Sequence, residues 1–299
     1  MIGHSITVTA SKGGVGKTSL AAGIGTLAAR AGWRVLLVDL DPQGNLGREL
    51  GYVERGDGGR SLFTAMVTEG SVEPLVGVRE RLDVVAGGRH TRKLITWLGG
   101  ERRDDPSVVW RLDEVLAPMA ESYDLVVVDT PPGELSIHEA AAAATHYLLV
   151  PTQGDAASND GIAEVLARIG ASRTGTPALN PALELLGVAV MLVPASARSV
   201  DRRIRADLAG LLGANARVFE PSVRFAKQAA IDLRERGWSV GEYEERAAAA
   251  RPWYEAKRAG AAAERFSSAA SGLAEDYQRL TDAVLAAFGE RQRATGFAA

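Results

Sequence analysis

The sequence Lys12-Gly13-Gly14-Val15-Gly16-Lys17-Thr18 follows an apolar run at 6–10 and opens a helical pattern. Its glycines let the backbone turn tightly and point N–H groups at phosphate oxygens, and the helix that follows adds the positive end of its dipole. Lys17 is placed for the β- and γ-phosphates of a nucleotide, and the Thr18 hydroxyl for Mg²⁺. The stretch therefore predicts a loop that binds Mg-ATP for hydrolysis.

The loop departs from the simplest phosphate-binding pattern in two places. Ser11 stands where that pattern has a glycine, and a second lysine, Lys12, directly precedes the glycine pair. We predict that the residues from Lys12 to Thr18, together with Ser19, bind the nucleotide.

Short apolar runs recur beyond the loop, and helical patterns lie between most of them. The runs are mostly continuous rather than alternating, as expected for strands buried on both faces of a parallel sheet. We therefore predict an α/β fold with a doubly wound, mostly parallel sheet flanked by helices. The further runs are at 35–38, 82–86, 125–128, 147–150 and 187–193.

Two of these runs end in acidic residues. Asp39-Leu40-Asp41 follows the second run of the chain, and Asp129-Thr130-Pro131-Pro132-Gly133 follows the run at 125–128. A single aspartate at a strand end is usually a turn residue, but three at the carboxyl edge of a parallel sheet are typical of a ligand site. We predict that Asp39, Asp129 and Thr18 hold Mg²⁺, directly or through water, and that Asp41 positions the attacking water.

Composition limits the class of protein. The chain has 299 residues, 46% hydrophobic and 24% charged, with a formal net charge of −3, which predicts a soluble globular protein. We see no apolar run long enough to cross a membrane and no signal peptide, so we expect a cytoplasmic location without membrane contact. The absence of cysteine excludes disulfides and thiolate metal sites, and the four histidines lack metal-ligand spacing.

We expect a single P-loop ATPase domain over 1–299. An Ala/Arg-rich insertion is predicted at 246–266, and an apolar stripe predicts a closing helix near 268–291. The insertion is either an extra surface helix or an added surface for DNA or a partner, and the sequence leaves both readings open.

The motifs at 12–18, at 39–45 and at 128–132 together resemble the ParA/MinD group of deviant Walker A ATPases, and within it the ParA/Soj-type partition proteins. The resemblance implies an ATP-dependent sandwich homodimer in which Lys12 reaches the partner's nucleotide. It implies catalytic roles for Lys12, Lys17 and Asp41, and a switch at Asp129-Thr130-Pro131-Pro132-Gly133 that senses the γ-phosphate. It also implies ATP and Mg²⁺ as cofactors, slow hydrolysis stimulated by a ParB-like adaptor protein, and association with the nucleoid.

Other branches of this group fit less well. The nitrogenase iron-protein branch needs cysteines, the tyrosine-kinase branch has a tyrosine-rich tail, and the MinD branch ends in a basic membrane-binding helix. Here the last helical pattern is acidic. The chain begins at its first strand, so it resembles the short partition proteins, which lack an operator-binding domain.

The segment 196–227 has seven basic residues against three acidic ones, a local net charge of +4. By itself this pattern is equally consistent with a solvated amphipathic helix. The resemblance favours non-specific binding of double-stranded DNA, and the predicted residues are Arg198, Arg202, Arg203, Arg205 and Arg224. The stretch Met191-Leu192-Val193-Pro194 lacks the asparagine that reads adenine in some relatives. Base specificity then comes from elsewhere, with the backbone near Pro221 as the candidate.

Two rival functions stay open at this stage. One is an ATPase of the same fold that positions a protein assembly rather than DNA. The other is a regulator whose ATP state gates a protein partner without DNA contact. A neighbouring gene for a small DNA-binding adaptor would separate these readings, and the most useful single experiment is DNA binding with ATP, with ADP and with neither.

Overall fold

A seven-stranded sheet forms the centre of the described chain. The computed structural model describes residues 1–175, 178–194, 198–213, 217–250 and 265–295. The strands are β1 (Ile2–Val8), β2 (Val35–Asp39), β3 (Leu75–Arg79), β4 (Leu82–Val85), β5 (Leu125–Asp129), β6 (Thr145–Thr152) and β7 (Glu184–Val190). They lie in the order β3-β4-β2-β5-β1-β6-β7, and each neighbouring pair is parallel except β3 and β4. The predicted fold class is confirmed.

Helices cover both faces of the sheet. They are α1 (Lys17–Arg30), α2 (Asn45–Leu50), α3 (Arg60–Thr68), α4 (Arg89–Glu101), α5 (Arg111–Ala120), α6 (Leu135–Ala144), α7 (Ala156–Thr174), α8 (Arg198–Leu212), α9 (Lys227–Arg236), α10 (Val240–Ala249) and α11 (Ala270–Thr295). Successive residues of β2 point to opposite faces, as the strand period of two requires. Val35 and Leu37 join the core under α1 and α11, whereas Leu36 and Val38 join the core under α4 and α5.

The register of β5 brings three loops together. Val8 of β1 pairs with Asp129, and Asp39 of β2 pairs with the same residue from the other side. Because these strands are parallel, the loops that follow β1, β2 and β5 leave the sheet at one edge. The phosphate-binding loop and the two acidic clusters predicted from the sequence therefore meet there.

Strand bounds differ from the predicted runs where polar residues interrupt the apolar pattern. β1 begins at Ile2 rather than at residue 6. Ser5 and Thr7 interrupt the apolar pattern of the sequence, but both are buried within the strand. The Thr7 hydroxyl oxygen lies 2.7 Å from the hydroxyl oxygen of Thr145, so its polar group is hydrogen-bonded. β3 was not predicted at all. It is a short antiparallel edge strand in which only Val78 is buried, so its sequence carries no apolar run.

The last helix packs along α1. α11 buries a stripe of apolar side chains, namely Leu273, Tyr277, Leu280, Val284 and Phe288. Residues 246–249 of the predicted insertion lie in α10, and 251–264 lie outside the described residues. The assignment of one domain over 1–299 and the role of the insertion stay predictions. Among the described helices, none has the length and hydropathy that crossing a bilayer requires.

Candidate active site

The loop between β1 and α1 has the backbone geometry that its glycines predicted. Gly14 and Gly16 have φ of 76° and 89°, in the left-handed region where a side chain would be strained. α1 begins at Lys17 directly after Gly16, and no side chain caps its first turn. The first N–H groups and the positive end of this helix therefore face the loop and are available to an anion.

Lys17 is buried inside the loop. Only 6% of the residue is exposed, and its Nζ donates to the Lys12 carbonyl oxygen at 2.8 Å. Burial lowers the pKa of Lys17, while the carboxylates of Asp129 and Asp41 act in the opposite direction. The ammonium thus lies between the phosphate-binding loop and the acidic edge of the neighbouring strands.

Asp39 and Asp129 are fully buried side by side on β2 and β5. Asp39 Oδ1 accepts the N–H of Asp41 at 2.8 Å. Its other oxygen, and both oxygens of Asp129, make no hydrogen bond of standard geometry with any described residue. Burial, and then the charge of Asp129, raise the pKa of Asp39 well above its ordinary value. Burial raises the pKa of Asp129 to about 7, although the adjacent Thr18 hydroxyl acts to lower it.

Unsatisfied buried carboxylate oxygens are rare in folded proteins and need an explanation. A divalent cation would satisfy them, since hard cations such as Mg²⁺ prefer oxygen ligands. Over the described ranges no three His, Asp or Glu side chains are grouped closely enough to hold a metal ion by themselves. The residues present therefore fit an ion shared between Asp39, Asp129, Thr18 and oxygens of a bound phosphate.

Asp41 has a different environment from the other two aspartates. It is 7% exposed, and its oxygens accept from the Gln43 N–H at 2.8 Å and from Asn45 Nδ2 at 3.1 Å. These two donors fix the direction of the carboxylate at the start of α2. A carboxylate held in this way can accept a hydrogen bond from a water in a defined position.

The segment Asp129-Thr130-Pro131-Pro132-Gly133 is hydrogen-bonded to the strand that precedes the phosphate-binding loop and lies close to Gly13. Thr130 Oγ1 donates to the Val8 carbonyl at 3.0 Å, and a methyl group added to Gly13 would lie 3.7 Å from Pro132 Cγ. Gly133 has a φ of 74°, so the turn out of this segment also requires glycine.

The Lys12 side chain is paired with a residue that follows β6. Its Nζ forms an ion pair with Asp155 at 2.6 Å, and both side chains are more than a third exposed. Gln153 Nε2 donates to the Gly14 carbonyl at 2.9 Å. Asp155 and Gln153 were not among the predicted site residues. Their position just after β6, the neighbour of β1, is the signal that would have identified them.

A mostly apolar pocket lies beside the loop, between α1, α9 and α11. Ser19 and Glu49 lie on its wall, and Glu49 Oε1 accepts from Ser19 at 3.0 Å and from Arg234 at 2.9 Å. Such a pocket next to a phosphate site can take a flat base. Its other lining includes Gly16, Leu192, Val223, Arg224, Phe225, Trp238 and Tyr277, but not the predicted Pro221.

Glu49 was missed by the sequence analysis. It lies three residues after Leu46 and directly before Leu50, and both leucines are buried. That helical spacing places Glu49 on the inner face of α2 and is the signal for a buried carboxylate.

The predicted DNA-binding arginines fall into two groups. Arg224 is held by Asp276 through two side-chain hydrogen bonds, and Arg205 by Asp201 at 2.9 Å and the Phe219 carbonyl at 2.7 Å. Arg202 and Arg203 are exposed on α8. The Arg203 guanidinium lies 3.9 Å from Asp207, and Arg202 has no ion pair with a described residue. The side chain of Arg198 lies outside the described residues.

Comparisons with known proteins agree with this geometry. A family model described as an AAA domain matches residues 3–185, which include the loop and all three aspartates. The chain is 36% identical over 205 residues to the chromosome-partitioning ATPase Soj of Thermus thermophilus, covering 67% of this chain and 75% of that protein.

Two solved structures are similar as well. A variant of McdA from Cyanothece in complex with ATP superposes with a TM-score of 0.74 over 96% of this chain and 97% of that one. Its sequence identity is 17%, so this likeness shows the fold alone. Cobyrinic acid a,c-diamide synthase from Mycobacterium smegmatis, solved with an ATP analogue and magnesium, has a TM-score of 0.64 at 26% identity and covers 89% and 100% of the two chains.

Proposed function

The chain belongs to the ParA/Soj family of partition ATPases, and from this premise we propose that it segregates DNA through an ATP-driven cycle. As a member of this family it is an ATPase that binds nucleotide with Mg²⁺. In the proposed cycle, ATP forms a sandwich homodimer that binds duplex DNA without sequence preference. Slow hydrolysis, stimulated by a ParB-like adaptor, then releases the protein from DNA. The proposed location is the cytoplasm, on the nucleoid.

One observation carries the proposal: Lys17, Asp41, and the unsatisfied carboxylates of Asp39 and Asp129 converge on one phosphate-binding loop. Lys17 and the loop N–H groups would hold the β- and γ-phosphates, and Ser19 would lie beside the base pocket. Bound Mg²⁺ would neutralise charge that develops on the transferred phosphoryl group. Asp41 would orient the attacking water, since its carboxylate is already fixed by two donors.

The dimer step is supported by the position of Lys12. Its ion pair with Asp155 is solvent-exposed, and such pairs contribute little to stability, roughly 0–1 kcal/mol. The lysine can therefore leave Asp155 at small cost and reach a nucleotide on a second copy. The segment from Asp129 to Gly133, whose Pro132 lies near Gly13, is proposed to transmit the presence of the γ-phosphate.

For DNA contact on α8 we propose Arg202 and Arg203, with Arg198 beside them in sequence. Arg205 and Arg224 are less suited than the sequence indicated, because Asp201 and Asp276 already neutralise them. Releasing either arginine to a phosphate would leave a carboxylate without its partner.

The test is DNA binding in three nucleotide states. We expect the protein to bind duplex DNA of any sequence with ATP and Mg²⁺, at least tenfold more weakly with ADP, and least without nucleotide. Fluorescence anisotropy on two unrelated duplexes gives the affinities. Equal affinity in all three states would contradict the ATP-dependent cycle.

The two rival functions are separated from partition in different ways. A regulator that gates a protein partner without DNA contact would bind no DNA in any nucleotide state, so the same titration decides between it and partition. An ATPase whose cargo is a protein assembly rather than DNA is separated from partition by whether a neighbouring gene encodes a small DNA-binding adaptor.

A further inference from the structure

A second group of basic side chains lies on the other side of the nucleotide site from α8, where α2, α3 and α4 meet. We define the α3–α4 basic patch as Arg48, Arg60, Arg89, Arg92 and Lys93. All five side chains are exposed. None of them has an ion pair within the described ranges, in contrast to Arg205, Arg217 and Arg224 in the segment predicted to bind DNA.

Arg60, Arg89 and Lys93 of the α3–α4 basic patch lie close together. His90 stands among them, and its pKa is lowered by partial desolvation and by the positive charges of Lys93, Arg89 and Arg60. Arg89 donates from Nε to His90 Nε2 at 3.3 Å, and its side chain crosses Gly58. The imidazole accepts this hydrogen bond and so adds no charge of its own.

Asp57 is the acidic residue that faces this group. Its carboxylate already accepts two backbone N–H groups, from Gly59 at 2.8 Å and from Ser61 at 2.6 Å, and so caps the first turn of α3. Five cations against one carboxylate leave a local charge of +4 in a chain whose net charge is −3. The field of the α3–α4 basic patch is therefore not balanced locally and favours an anionic partner.

A shallow pocket made largely of backbone lies beside Arg48 and Arg89 of the patch. Glycines at 44, 47, 56, 58, 87 and 88 line it, together with Arg48 and Arg89. Gly58 and Gly88 have φ of 68° and 138°, so a residue with a side chain would be strained at either position. The absence of side chains lets a bulky anionic group approach the backbone closely.

We propose that the α3–α4 basic patch is a principal contact for the phosphate backbone of duplex DNA. This rests on the proposed function and adds a surface to it, because Arg205, Arg217 and Arg224 of 196–227 are ion-paired whereas the members of the α3–α4 basic patch have no ion pair within the described ranges. Four of the five members are arginines, whose planar guanidinium groups match phosphate oxygens with two parallel hydrogen bonds.

The spacing within α4 supports phosphates rather than an acidic peptide. Arg89, Arg92 and Lys93 are three and four residues apart, about 5–6 Å between Cβ atoms, so their side chains can reach neighbouring phosphates of one strand. A peptide interface would need an apolar centre. Val53 is the large apolar side chain exposed in the pocket lining, at 54% exposure.

The position of the pocket joins it to the chemistry. Gln43 and Gly44, in the turn fixed by Asp41, form part of its wall, and a methyl group on Gly87 would lie 2.6 Å from the Asp39 carboxylate carbon. DNA on the α3–α4 basic patch would therefore lie beside the turn that carries Gln43 and Gly44, and this turn follows Asp41 of the nucleotide site. That proximity gives the nucleotide a physical route to alter DNA affinity.

The experiment compares two triple variants with matched loss of charge. Arg89→Ala/Arg92→Ala/Lys93→Ala removes three cations of the α3–α4 basic patch, and Arg103→Ala/Arg279→Ala/Arg293→Ala removes three exposed cations elsewhere. With ATP and Mg²⁺, we expect the first triple to lose at least tenfold in DNA affinity and the second less than threefold. The salt slope should fall by about 2–3 in the first triple only, since each lost phosphate contact removes about 0.9.

Two controls keep the outcomes separate. ATP-dependent dimerisation and unstimulated hydrolysis should be unchanged in both triples, which shows that the fold and the nucleotide site are intact. If both triples weaken binding equally, the effect is general charge and the proposal is wrong. It is also wrong if Arg202→Ala/Arg203→Ala abolishes binding while the first triple binds normally, although the partition function then stands. Failure of the unaltered protein to bind DNA would overturn both the proposal for the α3–α4 basic patch and the proposed partition function.

Discussion

Asp41 and Asp129 are both buried aspartates at the same sheet edge, and their surroundings assign them different chemistry. Asp129 has no hydrogen-bond donor of standard geometry among the described residues, and burial raises its pKa to about 7. Asp41 has a donor on each oxygen. A carboxylate without partners suits a cation, whereas one with fixed direction suits the orientation of a water molecule.

At the scale of this one residue, Asp41→Ala should bind ATP and Mg²⁺ normally and hydrolyse ATP at least tenfold more slowly, because the water loses its orienting group. Asp41→Asn is the matched control for shape. Its side chain keeps an oxygen that can accept from the Gln43 N–H but lacks the negative charge, so this variant should also hydrolyse ATP slowly. Phosphate release under single-turnover conditions measures both. Normal turnover in Asp41→Ala would move the role to Asp39 or to a backbone-held water.

At the scale of elements, α1 is the helix on which the site depends, and three other helices hold it. α2 reaches it through Glu49 and Ser19, and α9 joins the same carboxylate through Arg234. α11 packs on it where Tyr277 covers Gly23. Because Ser19 directly follows Thr18, which is proposed to bind Mg²⁺, these contacts fix the first turn of α1 as well as the core.

The contact between α1 and α11 gives a test with an internal control. A methyl group on Gly23 would lie 2.6 Å from Tyr277 Cδ1, so Gly23→Ala must displace the ring and should lower the free energy of unfolding by about 1–3 kcal/mol. Gly170 on α7 has open space around it, and Gly170→Ala should raise that free energy by about 0.4–1 kcal/mol. Urea unfolding measures both. Equal effects of the same sign would contradict the tight fit of α11 on α1.

At the scale of the whole molecule, charge is distributed unevenly around the sheet edge that carries the nucleotide site. Ion pairs neutralise several basic residues near β7, including Arg291 with Glu184 and Arg217 with Glu290. The α3–α4 basic patch, beside β4, has no ion pair within the described ranges, and the pair of Lys12 with Asp155 is exposed to solvent. A second copy of the chain that meets this edge would find Lys12 in a solvent-exposed ion pair with Asp155.

Assembly of two copies is therefore the property that Lys12 should control. Lys12→Ala should keep ATP binding, because Lys17 and the loop backbone remain, but lose ATP-dependent dimerisation. Asp155→Asn is the matched variant, since it removes the partner and leaves the lysine, and it should dimerise at least as well as the unaltered protein. Light scattering with ATP gives the mass of each. A full dimer in Lys12→Ala would exclude the role of this lysine across the interface.

Much of the fold and the centre of the site were predictable from the sequence. The glycines at 13, 14 and 16, the lysine and threonine after them, and the continuous apolar runs all act over a few residues. They specify a strand, a tight turn and a helix without help from distant parts of the chain. The rule that parallel strands share a carboxyl edge then brings Asp39, Asp41 and Asp129 to that loop, and membership of the ParA/Soj family confirms the resemblance seen in these motifs.

Tertiary structure alone decided which charges are free. Arg224 and Asp276 are 52 residues apart, and Lys12 and Asp155 are 143 residues apart, so no local pattern shows that each neutralises the other. The α3–α4 basic patch likewise combines side chains from three helices and was not visible as a charged run. The physical reason is range: backbone conformation is set by neighbours in sequence, whereas the compensation of a charge depends on whichever residues the completed fold places within a few ångströms.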